Sequence, residues 1–226
     1  MDTSISPSNN PTDCQVRKVT WWYFFVKRCF DIFNSLLAIL VLSPVLLISA
    51  LLVVCTSKGP ALFKDKRIGK DGKVVKVLKF RSMYIDAETH PEKYFSPEQL
   101  KRWQTERKVD KDPRITKVGR FLRKTSIDEL PQLFNIFLGT MSIVGPRPIT
   151  QTELDEHFSK GQQAILLSAR PGLTGYWQVY GRSESDYASG NRVRQNMVYF
   201  EKRSLMFDLK LIILTVPAVL KHKGAQ

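Results

Sequence analysis

Two adjacent carboxylates, Asp128 and Glu129, stand in the stretch Ser126-Ile127-Asp128-Glu129-Leu130-Pro131 of a strongly basic chain. Neighbouring helical residues point about 100° apart, so the pair can take separate jobs. Ser126 and Glu129 have capping-box spacing, and Pro131 is best tolerated in a first turn. The spacing therefore predicts a helix that starts here and runs through Phe137, its positive end holding Asp128 ionised. The chemistry such a site suits is the binding of phosphate or metal. Taken alone, however, the stretch reads first as an ordinary acidic cap.

The elements around the pair must supply what it lacks. Lys79 and Arg81, two apart on an expected strand, share one face, either solvated or turned to an anion. Arg120, Arg123 and Lys124 fall on one helical face just before the carboxylates. In Gly145-Pro146-Arg147-Pro148 the two prolines fix the backbone around one arginine, a rigid mount for a phosphate fork or for stacking on a base. A second rigid turn, Arg170-Pro171-Gly172-Leu173-Thr174-Gly175, has glycines that allow close backbone approach, and leads to Trp177, either core or platform.

The totals bound the rest. The chain has 226 residues, a formal charge of +14 and a pI near 9.8. That is one well-cored domain with some left for an anchor, and a negatively charged partner. Three cysteines without metal spacing favour a reduced compartment, and three scattered histidines leave zinc sites and Ser-His-Asp triads unsupported. Asp110-Lys111-Asp112 matches the metal-binding Asp-x-Asp of nucleotide-sugar glycosyltransferases, but a solvated turn is the simpler reading.

Residues 1–15 read as a disordered tail, and residues 16–58 as an aromatic and basic interfacial segment followed by a membrane helix. Residues 32–57 carry no charge, long enough to enter a bilayer. Ser43-Pro44 interrupts them. Pro44 removes a donor, and the Ser43 hydroxyl can satisfy the freed carbonyl. Basic clusters flank both ends, which favours a re-entrant helix-break-helix over a kinked single span. Residues 59–226 form the cytosolic part, with strands expected over 61–69 and 73–83 around an Asp71-Gly72 hairpin turn. A helix is expected over 97–108 inside a polar insertion and a short strand over 141–144. Residues 205–220 suit a core helix and an interfacial helix equally, with Lys221, His222 and Lys223 beside them.

Taken in order, these motifs resemble the bacterial sugar transferase family, the monotopic polyprenyl-phosphate phosphoglycosyl transferases. The resemblance rests on Ser43-Pro44, Lys79-Phe80-Arg81-Ser82-Met83, Asp112-Pro113-Arg114-Ile115-Thr116 and Ser126 to Leu133. Met141-Ser142-Ile143-Val144-Gly145-Pro146-Arg147-Pro148 and the Arg170 turn complete the set. It implies an α+β fold: a re-entrant membrane helix, then a mostly helical cytosolic domain with a small β-hairpin or sheet and interfacial helices. It implies Mg²⁺ dependence, transfer of a sugar 1-phosphate from a UDP-sugar to undecaprenyl phosphate with release of UMP, and a place on the cytoplasmic face of the bacterial inner membrane. On these positions Asp128 becomes the nucleophile, forming a sugar-phosphoryl aspartate. Glu129 becomes its partner, both being candidate metal ligands. Lys79, Arg81, Arg123 and Arg147 become the charge clamp, with Pro146 and Pro148 shaping the nucleotide site. Thr140 and Asn196 stand where relatives usually carry acidic residues, so a metal or substrate role there would be lost. The chain resembles the minimal form of the family. A membrane-tethered basic module that binds nucleic acid or anionic lipid is the alternative. Paired carboxylates argue against it, and no nucleic-acid partner is expected.

Overall fold

A computed structural model describes residues 15–106, 109, 111–181, 187 and 189–220. The expected tail, Asp110 and the 221–223 basic cluster lie outside the described residues. The chain opens with one helix, α1 (Trp21–Thr56), whose apolar sequence carries Pro44 inside it. The expected division into two helices at Ser43-Pro44 is not seen. Pro44 deprives the Leu40 carbonyl of its N–H partner, and Ser43 Oγ donates to that carbonyl at 2.8 Å. The hydroxyl thus offsets the loss that would otherwise open the helix.

An antiparallel hairpin follows, β1 (Leu62–Ile68) and β2 (Val74–Phe80). Its loop has three residues, Lys70–Gly72, with Asp71 and Gly72 both at positive φ (58° and 72°). The turn falls where Asp71-Gly72 predicts it, but the extra residue sets the register. Asp65 faces Val77 and Phe63 faces Lys79. A polar insertion with α2 (Pro97–Glu106) then leads to α3 (Lys117–Thr125). Thr116 caps α3, its Oγ1 accepting from Gly119 N at 2.9 Å. Gly119 lies so close to the Ser82 backbone that a β-carbon would collide with it, which brings α3 directly against the strand β2 runs into.

Ser126 does not cap a helix as its spacing with Glu129 predicts. It is left-handed (φ 57°) and ends α3, and Ile127–Glu129 form a 3-10 turn with Glu129 N donating to the Ser126 carbonyl. The next helix, α4 (Gln132–Leu138), starts after Pro131. Local spacing was outcompeted because α3 reaches Thr125 and leaves too little chain for a separate cap. Beyond α4 come β3 (Ser142–Val144), α5 (Gln151–His157), α6 (Lys160–Leu166), β4 (Gly172–Thr174), α7 (Tyr176–Tyr180), α8 (Asn191–Lys202) and α9 (Leu205–Leu220). β3 and β4 pair in parallel, and Gly145 and Gly172 pack backbone to backbone with no room for side chains, the close approach the glycines imply.

Three apolar clusters hold these elements. Phe200, Ile149, Val144 and Leu211 centre one that joins α5, α6, α8 and α9 to β3. The other two carry α1. Ala38, Ile39 and Leu42 pack on Val75, Val77, Leu133, Ile136 and Met141, and further along Leu46, Ala50 and Val53 pack on Phe80 and Leu122. Polar fasteners sit at both ends of α1. Lys27 pairs with Asp208 of α9 at 2.8 Å, Arg28 donates to the Ile136 and Phe137 carbonyls, and the buried Asp31 accepts from Ile143 N at 3.0 Å. At the far end Arg81 donates to the carbonyls of Ser57, Lys58 and Gly59. The opposite face of α1 is apolar and exposed, including Trp22, Phe33, Leu40, Val41, Leu47 and Ile48. Helix α9 packs on the core through Asp208 and Leu211, as the core reading expects, and leaves Met206, Ile213 and Val216 exposed.

Candidate active site

Asp128 and Glu129 project from the 3-10 turn between α3 and α4. The turn is seated by Ile127 and Leu130, which pack with Leu46, Ala50 and Val53 of α1. Its position against the hairpin is set by Asn135 of α4. The Asn135 Oδ1 accepts from Leu78 N at 2.8 Å, and its Nδ2 donates to the Lys76 carbonyl at 2.9 Å. One amide thus stands in for a third strand along the β2 edge. The same Nδ2 donates to Thr140 Oγ1 at 3.1 Å, so Thr140 serves the end of α4. Asn135 carries no charge and belongs to no chemical motif. Only its place on the buried face of α4 marked it.

Lys79 and Arg123 face the pair. Their charges pull the Asp128 carboxyl down, but burial, then Glu129, push it up further, to about 6 from an ordinary 3.8. The surroundings of Asp128 thus favour its protonated form, the reverse of the helix-end effect that the sequence suggests. Arg123 is held by its Nε donating to Ser82 Oγ at 2.8 Å, and burial lowers its pKa while Asp128 raises it. Lys79 lies 3.7 Å from Asp65, which also binds Arg67 at 2.9 Å. Arg67 continues to Glu153 at 3.3 Å, and Glu153 accepts from Tyr187 at 3.0 Å. This chain of alternating charge runs from beside Asp128 to α5. The motifs missed Asp65 and Glu153 because each reads as an ordinary polar residue until the hairpin and α5 come together.

Arg147 stands at the other side, where the field of Glu129 reaches it. Three backbone bonds fix its mount: Gly172 N to the Pro146 carbonyl at 2.8 Å, Arg147 N to Asn196 Oδ1 at 3.0 Å, and Ile68 N to the Ile149 carbonyl at 2.8 Å. Pro146 is buried and Pro148 half-buried beside it. The guanidinium lies 4.0 Å from the centre of the Trp177 ring, making Trp177 a largely buried platform. Burial, and next the charge of Arg192, lowers Arg147 to about 10.

Lys79 and Arg123 thus lie within electrostatic reach of Asp128, while Arg147, flanked by Pro146 and Pro148, is reached, of the pair, only by the field of Glu129. The structure does not bring Arg81 to them. That guanidinium is buried against the end of α1, beyond the last residue of β2. Asp112 is bound to Arg114 at 2.6 Å, with Arg114 lying over Phe95 and Trp103, so the Asp-Pro-Arg motif pins the polar insertion. Of the solvated turn expected at Asp110-Lys111-Asp112, Lys111 is an exposed turn residue, whereas Asp112 is buried in this ion pair. Among the described residues no group of three or more His, Cys, Asp or Glu is placed to hold a metal. Two adjacent carboxylates remain sufficient for Mg²⁺, which keeps several waters and shares phosphate oxygens.

The whole constellation lies within residues 22–222, which match the family described as bacterial sugar transferase. The chain is similar to the exopolysaccharide production protein ExoY of Sinorhizobium fredii, 42% identical over 201 residues that cover 88% of this chain and 87% of that protein. It is 40% identical over 203 residues to the undecaprenyl-phosphate galactose phosphotransferase of Salmonella typhimurium, covering 89% of this chain and 42% of the longer protein. A similar match, 40% over 205 residues, joins 88% of it to 41% of the UDP-glucose:undecaprenyl-phosphate glucose-1-phosphate transferase of Escherichia coli. The alternative of a non-catalytic basic module falls with these matches. Motif order, paired carboxylates, clamp and profile agree: this chain belongs to the bacterial sugar transferase family.

Proposed function

We propose that the protein moves a sugar 1-phosphate from a UDP-sugar to undecaprenyl phosphate, releasing UMP, as the first membrane step of a surface glycan pathway. The observation that carries this reading is Asp128, a part-buried carboxylate of raised pKa between Lys79 and Arg123 and next to Glu129. A desolvated carboxylate has lost hydration that would otherwise blunt its attack on phosphorus. In the first half-reaction an Asp128 oxygen bonds to the sugar-bearing phosphorus while the bond from that phosphorus to the bridging oxygen breaks. The electron pair leaves with UMP. In the second, an oxygen of the lipid phosphate displaces Asp128 and restores the carboxylate. Lys79 and Arg123 offset the charge of the phosphate under attack, and Arg147 faces the nucleotide side.

Asp128 and Glu129 are the residues that would hold Mg²⁺. Burial first and then the charge of Glu129 raise the pKa of Asp128, and both are penalties on its charge that a cation would relieve. When bound, the ion would neutralise diphosphate charge and orient the leaving group.

The lipid acceptor calls for a membrane-facing side, and the exposed apolar face of α1 supports one. Both ends of α1 are fastened to the same domain, by Lys27 and Arg28 at one and Arg81 at the other. A re-entrant or in-plane seat on the cytoplasmic face satisfies that tethering, whereas a straight span would drag the domain into hydrocarbon. A panel of UDP-sugars with Mg²⁺ and undecaprenyl phosphate tests the reaction. UMP from at least one donor is expected. UDP as the released nucleotide, or none from any common donor, would reject it.

A further inference from the structure

Arg192, near the start of α8, appears in none of the motifs that flag the site. Its guanidinium carbon lies 5.2 Å from the centre of the same Trp177 ring that carries Arg147, and 4.6 Å from that of Tyr187. Both arginines leave their Nε atoms buried and without a hydrogen-bond partner among the described residues. Two like charges are thus held side by side on one ring in half-buried residues, an arrangement that costs stability unless an anion completes it. Among the described residues Glu153 is the carboxylate whose charge chiefly reaches Arg147, but it already accepts from Arg67, Thr150 and Tyr187. Asn196 fixes the backbones of both arginines at once, accepting from Arg147 N at 3.0 Å and donating through Nδ2 to the Arg192 carbonyl at 2.9 Å. Being neutral, Asn196 positions the pair without spending its charge. So the position where relatives carry an acid keeps a role here.

We infer that Arg147 and Arg192, stacked on Trp177, form a two-arginine clamp for the nucleoside monophosphate part of the donor, with Arg192 a binding residue for the departing phosphate. The inference rests on the proposed reaction. Planar guanidinium forks suit phosphate oxygens, and stacking on an indole orients them without using their donors. The direction of approach selects the nucleotide over the lipid phosphate. Asp128 and Glu129 sit on a turn whose Ile127 and Leu130 join the apolar cluster that α1 enters, so a membrane-bound acceptor would reach them from that side. Trp177 and Arg192 belong to α7 and α8, and Arg147 links the two regions through the field of Glu129. As the bridging bond breaks, its electron pair stays with the nucleotide phosphate. The clamp meets that added charge.

The test is calorimetric binding of UMP, uridine and a short-chain polyprenyl phosphate to the full-length protein in nanodiscs, for wild type, Arg192→Gln and Arg192→Lys. Arg192→Gln is expected to weaken UMP by roughly 10- to 100-fold, the worth of one or two charge-assisted bonds, with uridine unchanged. Arg192→Lys, which keeps the charge but not the fork, should fall between and serves if the glutamine variant does not fold. Equal UMP affinity in all folded variants, while wild type still releases UMP in turnover, overturns the clamp and spares the reaction. A loss confined to polyprenyl phosphate also overturns it. Release of UDP by wild type removes the reaction and the clamp's ligand together.

Discussion

At the scale of single residues, Asp128 is a compromise between reactivity and stability. Its folded pKa of about 6 lies above the ordinary 3.8, so the folded state binds that proton more tightly than the unfolded chain does. No penalty exists below pH 4; it grows as pH rises from 3.8 to 6, and stays constant above. In protein without divalent cation or nucleotide, Asp128→Asn should therefore be more stable than wild type at pH 7, by up to about 2 kcal/mol. The two should melt together at pH 4, and thermal melts at both pH values check this. The gain in stability is to accompany complete loss of turnover. The pair Asp128-Glu129 was legible in the sequence because carboxylates in a basic chain stand out. The pKa was not legible, since local spacing suggests a helix end favouring the charge while burial between α3 and β2 works the other way. Asp65 stayed hidden for a related reason. A two-residue turn at Asp71-Gly72 pairs it with Leu78, whereas the three-residue loop pairs it with Val77 and lets it reach Lys79.

Among the elements, two side chains decide how the site is held. Asn135 satisfies the N–H of Leu78 and the carbonyl of Lys76. Asn135→Leu should cost roughly 2–4 kcal/mol, because both β2 groups lose their partner, and lower kcat by letting Lys79 drift from Asp128. A melt and a rate measurement on the same preparation check both. Arg81 gives a sharper contrast. Its place two residues after Lys79 made it a clamp candidate in the sequence, yet its guanidinium closes the end of α1. Arg81→Met is expected to lower the melting temperature, by an amount worth about 2 kcal/mol, and to leave KM for the donor unchanged. A raised KM with unaltered melting would return Arg81 to the substrate. Sequence alternation reports which residues share a face, and it says nothing of what that face meets. The same limit applies at Ser126, where the capping-box spacing is present but the residue is already committed to ending α3.

For the whole molecule, the sequence carries the family in the order of its motifs, and it also marks the long apolar helix and the hairpin. It left open how α1 sits, because that depends on contacts between residues more than a hundred positions apart, such as Arg28 with Ile136 and Asp31 with Ile143. These contacts make α1 a beam along one side of the domain, apolar outward and anchored at both ends. Single cysteines placed at Lys18 and Lys58, in a cysteine-free background, should both react with an impermeant maleimide from the cytoplasmic side; reaction from opposite sides would mean a span. In the proposed reaction such a beam would bring a lipid phosphate to one side of Asp128 while Lys79, Arg123 and Arg147 would receive the soluble donor on the other. Asp128 is the proposed nucleophile between them. The direct measurement is intact-protein mass spectrometry after incubation with the productive UDP-sugar and Mg²⁺ but no lipid phosphate, together with nucleotide analysis of the supernatant. A gain of one sugar phosphate on Asp128, one UMP per adduct, and neither in Asp128→Asn is the predicted result. An unmodified Asp128 in protein that turns over normally once undecaprenyl phosphate is added would contradict it.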